Sequence, residues 1–223
     1  MELDNEYITY LKELLSDKVF TEMALKAYSH KNFLVRKLFF DRLKVAVSFT
    51  ELSGKTVLDY GTGSGILLPY LSKKCSKVYA ADIFVDPAKK MMALKQLDNV
   101  SIIQVNETDS TFELDHTSLD VIFALDVLEH IKEDNVLNGL INKFSKLLKI
   151  GGSLIISGPT ENFLYQIARK LTGFKNDYHF RNIYAIKMDI LATNCFKLKK
   201  EVTLPNIAIP GFKVLYFERI KKD

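Results

Sequence analysis

The chain has 223 residues, 48% of them apolar, a formal charge of +4 and two cysteines, which suits one compact unit and excludes a disordered or fibrous chain. No apolar run approaches the roughly 18 residues needed to cross a membrane, and the acidic start Met1-Glu2-Leu3-Asp4-Asn5-Glu6 is unlike a secretory leader. Cys75 and Cys195 lie far apart with no CxxC spacing, so neither a disulfide nor a zinc site is expected, and the location is read as cytoplasmic.

Residues 1–52 carry no strand pattern. Apolar residues recur at helical spacing, first Ile8, Leu11, Leu14 and Leu15, then Phe20, Met23, Ala24 and Ala27, then Leu34, Leu38, Leu43 and Val47, which predicts two or three amphipathic helices. Tyr7, Tyr10, Tyr28, Phe33, Phe39 and Phe40 fall among them, as core or as the lining of a pocket, and His30 falls in a connection. From Lys55 short apolar runs alternate with helical stretches, the pattern of a parallel sheet with helices on both faces. Strands are expected near 55–60, 77–82, 100–105, 119–124, 152–158, 197–204 and 212–220, with helices beginning near Ser64, Asp86, Lys132, Glu161 and Arg181. Pro87 beside Asp86 suits a helix start, as do Glu133 and Asp134. The last two strands, separated by Pro205 to Gly211, read as a long hairpin. The positive excess lies in residues 163–223, where Lys197, Lys199, Lys200, Lys213, Arg219, Lys221 and Lys222 suit a solvated sheet edge. A surface for RNA or anionic lipid is the alternative, and the lack of Trp and of aromatic–basic interleaving counts against it.

The first of these strands runs into Val57-Leu58-Asp59-Tyr60-Gly61-Thr62-Gly63-Ser64-Gly65, an apolar run, a carboxylate and a glycine-spaced turn ahead of a helical pattern. Such a turn bends sharply and lets a nucleotide approach the backbone. A dinucleotide fingerprint needs a third glycine three places after the second, and Ile66 stands there, which argues against an NAD-dependent oxidoreductase. A second acid, Asp82, closes the next apolar run, Val78-Tyr79-Ala80-Ala81.

The acid before GxGxG, the acid closing the second strand, the run Leu119 to Ile131 and the glycine turn Ile150-Gly151-Gly152 together resemble the class I S-adenosylmethionine (SAM)-dependent methyltransferases. The small-molecule branch that includes ubiquinone and menaquinone methyltransferases is the most similar. The usual proline before the glycines is replaced by Ile150. The resemblance implies a Rossmann-like methyltransferase fold, a doubly wound, seven-stranded, mostly parallel sheet with an antiparallel last strand. It also implies an N-terminal helical lid over 1–53 and a SAM-binding core over 54–223. It assigns Asp82 to the ribose diol, Asp59 to the methionine ammonium, Gly61, Thr62 and Gly63 to passage of the methionine chain, and Leu125 to its far end. Ile83 and Phe84 would wall the adenine; Asn106, Glu107, Thr108 or Asp109 would meet its exocyclic amine, in an ambiguous register. His130 and His179 are candidate acid–base groups, and Glu161 a candidate at the rim. Asp126, Glu129 and His130 have a spacing that could hold a divalent cation, but solvent-exposed acids are the commoner explanation and no metal is expected.

The expected activity is methyl transfer to an O or N atom of a small-molecule acceptor, with S-adenosylhomocysteine (SAH) as product. Methylation of RNA or protein is the alternative; the signatures for an exocyclic base amine or a cytosine ring carbon are missing. A non-catalytic SAM-binding module is the other. Side-chain types in 1–52 and 159–195 name neither acceptor nor oligomeric state.

Overall fold

The computed structural model describes residues 28, 30–106, 108, 111–160, 179–205 and 211–221. Helix α1 spans Phe33–Val47; Asn32 caps it by accepting a hydrogen bond from the Leu34 N–H (2.8 Å). Then follow β1 (Thr56–Tyr60), α2 (Leu68–Lys74), β2 (Lys77–Asp82), α3 (Asp86–Leu94), β3 (Val100–Gln104) and β4 (Leu119–Leu125). A single 3-10 turn (Leu128–His130) leads to α4 (Asp134–Leu147), β5 (Leu148–Pro159), α5 (Ile183–Ala192), β6 (Phe196–Leu204) and β7 (Phe212–Arg219).

The seven strands form one sheet in the order β3-β2-β1-β4-β5-β7-β6. All neighbours from β3 to β5 pair in parallel, and β7 runs antiparallel between β5 and β6. Parallel strands buried on both faces read as unbroken apolar runs, which is why β1, β2 and β4 were legible. Alternate residues still part company. Leu58, Ile122 and Ile156 pack under α4 and α5 with Leu137, Phe144 and Ile186; Val57, Phe123 and Ile155 pack on the other face with Ala46 of α1, Leu68 and Leu71 of α2 and Ala88 of α3. Each fully buried Leu, Ile, Val or Phe among them contributes about 1.5–3 kcal/mol.

Register aligns the strand ends. Asp59 pairs with Ala80, Asp82 with Gln104 and Leu125 with Ser157, so the carboxyl ends of β1, β2 and β4 share one edge. The strand order reverses between β1 and β4, the crevice where open α/β sheets bind ligands.

Several boundaries differ from the sequence reading, most by one or two residues, and three of them have a local cause. The helix expected from Ser64 begins at Leu68, because Gly65 has φ +74° and Pro69 suits only a first turn. The fifth strand begins at Leu148 rather than 152, through a register shift opposite Leu119 and Val121. The helix expected from Arg181 begins at Ile183, after Asn182 accepts from the N–H groups of Tyr184 and Ala185. The helices expected within 1–27, Tyr7, Tyr10, Glu161 and the helix expected from it lie outside the described residues. Tyr28 is buried against Phe39 and Phe40, while Phe33 is exposed. Both cysteines are free thiols. No described helix is long and apolar enough to cross a membrane.

Candidate active site

The turn after β1 is tied to β2. The N–H groups of Gly61 and Thr62 both donate to the Ala81 carbonyl, at 2.8 and 3.2 Å. Gly61 has φ +76°, and a Cβ there would stand 2.6 Å from the Cβ of Val127, so the turn presses directly on the residues that follow β4. Beyond it the Gly63 N–H donates to Asp82 Oδ2 (2.8 Å), while the Phe84 N–H donates to Oδ1 (3.0 Å). The Asp82 carboxylate is thus fixed from both ends. A carboxylate has about four lone-pair positions, so each oxygen keeps acceptor capacity. Burial pushes the Asp82 carboxyl up, opposed by the N–H groups of Phe84, Gly63 and Ile83.

Asp59 is buried and accepts from the Thr62 hydroxyl at 2.8 Å. Burial pushes its carboxyl up to about 7; the Thr62 hydrogen bond opposes the rise and the nearby Asp82 charge adds to it. A buried carboxylate in this state favours a cation beside it.

Ile83 and Phe84 leave large apolar surface exposed next to Asp82. The Val105 N–H extends the sheet by donating to the Asp82 carbonyl (2.9 Å), and Asn106 follows. Its side-chain oxygen accepts from both the N–H (2.8 Å) and the hydroxyl (2.7 Å) of Thr108, so the two polar tips sit together beyond β3. Glu107 and Asp109 lie outside the described residues. Leu125 ends β4, half-buried, and the Asp126 N–H joins the Ser157 carbonyl at 3.1 Å.

The histidines meet on the other side of β4. His130 closes the 3-10 turn, and His179 reaches it because the Phe180 N–H donates to the Glu129 carbonyl (2.9 Å) and Arg181 donates to the Lys132 carbonyl (2.8 Å). The imidazole rings lie 5.0 Å apart, centre to centre. Glu129 is almost fully buried beside them, where a solvent-exposed acid was expected. Ligand atoms of Glu129, His130 and His179 all lie within 4.8 Å of one another, two imidazoles and a carboxylate that could hold a metal ion. Asp126 does not join that set. Its carboxylate accepts from Ser157 Oγ (2.7 Å) and pairs with Arg42.

Arg42 is the group that sequence reasoning missed. It lies on the buried stripe of α1 with Phe40, Leu43, Ala46 and Val47, and a lone arginine on an apolar stripe was the available signal.

A family model described as a methyltransferase domain matches residues 29–189. A ubiquinone biosynthesis O-methyltransferase of Vibrio atlanticus is 31% identical over 125 residues, covering 55% of this chain and 51% of the relative. The chain therefore matches about half the length of that curated relative. Among solved structures, the N-methyltransferase NodS of Bradyrhizobium japonicum, in complex with SAH, superposes with a TM-score of 0.66 at 18% identity, covering 98% of this chain and 100% of that one. The [4+2]-cyclase SpnF also superposes, with a TM-score of 0.64 at 13% identity over 82% of this chain and 81% of its own. These structural likenesses establish the fold and not the reaction.

Proposed function

The chain belongs to the methyltransferase-domain family, and from that membership we propose that it binds SAM along the carboxyl ends of β1, β2 and β4 and methylates an O or N atom of a small metabolite. The observation that carries this reading is the Asp82 carboxylate, fixed by the Gly63 and Phe84 N–H groups with acceptor capacity to spare. A vicinal diol fits such a group, each charge-assisted bond contributing roughly 1.5–3 kcal/mol. Asp59 would take the ammonium, the Leu125 backbone the methionine end, and Ile83 and Phe84 the face of the adenine, with Asn106 or Thr108 at its amine. The methyl group of a sulfonium is the chemistry that the cofactor supplies when bound. The chain's own part is to hold the acceptor atom in line and keep water out. His130 and His179, whose rings lie 5.0 Å apart, would be the groups that accept the acceptor's proton.

A small acceptor is also favoured by the basic strands. Lys199 pairs with Glu218, and Lys187 and Lys213 share Glu201, so part of the C-terminal charge is met within the fold. Calorimetric titration with SAH, with NAD as control, tests the cofactor reading; NAD binding with no SAH binding would overturn it.

Two expectations follow for the site's titratable groups. With its carboxyl raised to about 7, Asp59 favours the folded chain at acid pH and loses that contribution as pH rises through about 7. A bound ammonium has the opposite preference, for the ionised form. SAH affinity should therefore fall roughly tenfold for each pH unit below about 7, with protons released on binding near neutrality. Titrations in buffers of different ionisation enthalpy read both; an affinity flat from neutral to mildly acid pH would remove Asp59 from the ammonium. His130→Ala and His179→Ala should leave SAH affinity within about twofold yet slow turnover on a proton-losing acceptor by about 10²-fold or more. Undiminished single-turnover rates in both would leave positioning as the whole of catalysis.

A further inference from the structure

We propose that Arg42 and Asp126 form one positioning unit that ties helix α1 to the cofactor turn; this rests on the cofactor reading above. Arg42 is 2% exposed. Its guanidinium pairs with Asp126, donates to the Tyr28 hydroxyl (2.8 Å) and lies over the rings of Phe39 (5.1 Å) and Phe212 (5.3 Å). Replacing a buried ion pair with well-packed apolar side chains often leaves stability unchanged or higher, so a charge kept in this aromatic setting points to a task other than holding the fold together.

The partner explains the task. Asp126 has φ +54°, a left-handed conformation that aspartate tolerates without favouring. Three contacts hold it there: its N–H on the Ser157 carbonyl, its Oδ1 on the Ser157 hydroxyl and its Oδ2 on Arg42. The conformation at Asp126 sets the direction of the two peptides around it, and so the positions of Leu125 and Val127. Val127 lies against Gly61 with no room for a Cβ between them. Gly61 opens the turn whose Gly63 N–H fixes Asp82. A contiguous path of contacts therefore runs from α1 through Asp126 and Val127 to the group assigned to the ribose. Along it Arg42 acts through Asp126 and needs no contact with the cofactor or acceptor.

The test is SAH affinity by calorimetry, at a temperature well below unfolding, for Arg42→Met, Arg42→Lys, Asp126→Asn and the double substitution Arg42→Met with Asp126→Asn. Arg42→Met and Asp126→Asn should each weaken binding about tenfold, Arg42→Lys should stay within about threefold of the parent, and the double should be no weaker than the worse single. Asp126→Asn keeps an acceptor for Ser157 and a residue type that tolerates the left-handed conformation, so it carries the test if Arg42→Met does not fold. Folded single variants with unchanged SAH affinity, whatever their unfolding temperature, would reduce the pair to a structural contact. Additive losses would likewise break the unit. A parent protein that does not bind SAH overturns the cofactor reading, whereas a parent that binds with unaffected variants overturns this inference alone.

Discussion

Asp82→Ala will weaken SAH binding by about 10- to 100-fold, read by calorimetric titration near neutral pH. The substitution removes the acceptor that the Gly63 and Phe84 N–H groups hold in place. It takes away both bonds expected from the diol, and it frees the turn to move. It also removes a negative neighbour that raises Asp59, so the ammonium side is relieved while the ribose side is lost, and the net effect stays below the sum of two full charge-assisted bonds. Asp82→Asn, which keeps the shape and one acceptor, should fall between. A folded Asp82→Ala protein with unchanged SAH affinity would sink the ribose assignment.

The second large effect is expected at Gly61. Alanine there must adopt φ +76° and place its Cβ 2.6 Å from the Cβ and Cγ2 of Val127. The backbone penalty is about 1–2 kcal/mol and overpacking adds about 1–3, so Gly61→Ala should destabilise the fold by about 2–5 kcal/mol. The denaturant midpoint measures it. On a Val127→Gly background the clash is gone and the backbone penalty remains, so Gly61→Ala should cost less there than in the parent. Should Gly61→Ala be as stable as the parent, the close approach between the turn and residue 127 would be wrong.

Where the candidate residues lie in the fold could largely be read from the sequence. Asp59 and Asp82 stand where apolar runs end, and in a parallel sheet a run ends at the ligand edge, so their location follows from pattern alone. The β2 limits agree with the expected 77–82, and β1 and β3 differ by one residue. The start of α2 was not legible, because Ile66, Leu67 and Leu68 continue a helical spacing that Gly65 breaks only through its backbone angle. Nor was the start of β5, since Leu147 and Leu148 form one apolar run in which the chain passes from α4 to strand without a turn residue. The contact between His130 and His179 depends on how the segment before α5 docks on the 3-10 turn, which local spacing does not encode. The Arg42–Asp126 pair was hidden for a different reason: charged residue types are ordinarily solvated, and only tertiary packing put these two together.

The place of β7 has a consequence for how the chain is made. Residues 196–204 leave the ribosome before residues 212–219, yet among the described residues β6 hydrogen-bonds to β7 and to no other strand, and β7 is what covers the edge of β5. Until Val214, Leu215 and Phe217 arrive, the nascent sheet ends at β5, with its backbone donors and acceptors open to any other extended chain. At roughly 5–20 residues per second the exposure is brief, but it falls when most of the apolar surface has already been synthesised. The carboxyl edge and the vulnerable edge thus mature at different moments: β1 to β5 can bring the ends that carry Asp59, Asp82 and Ser157 into line, while protection of the sheet waits for a strand that reaches it from the opposite direction.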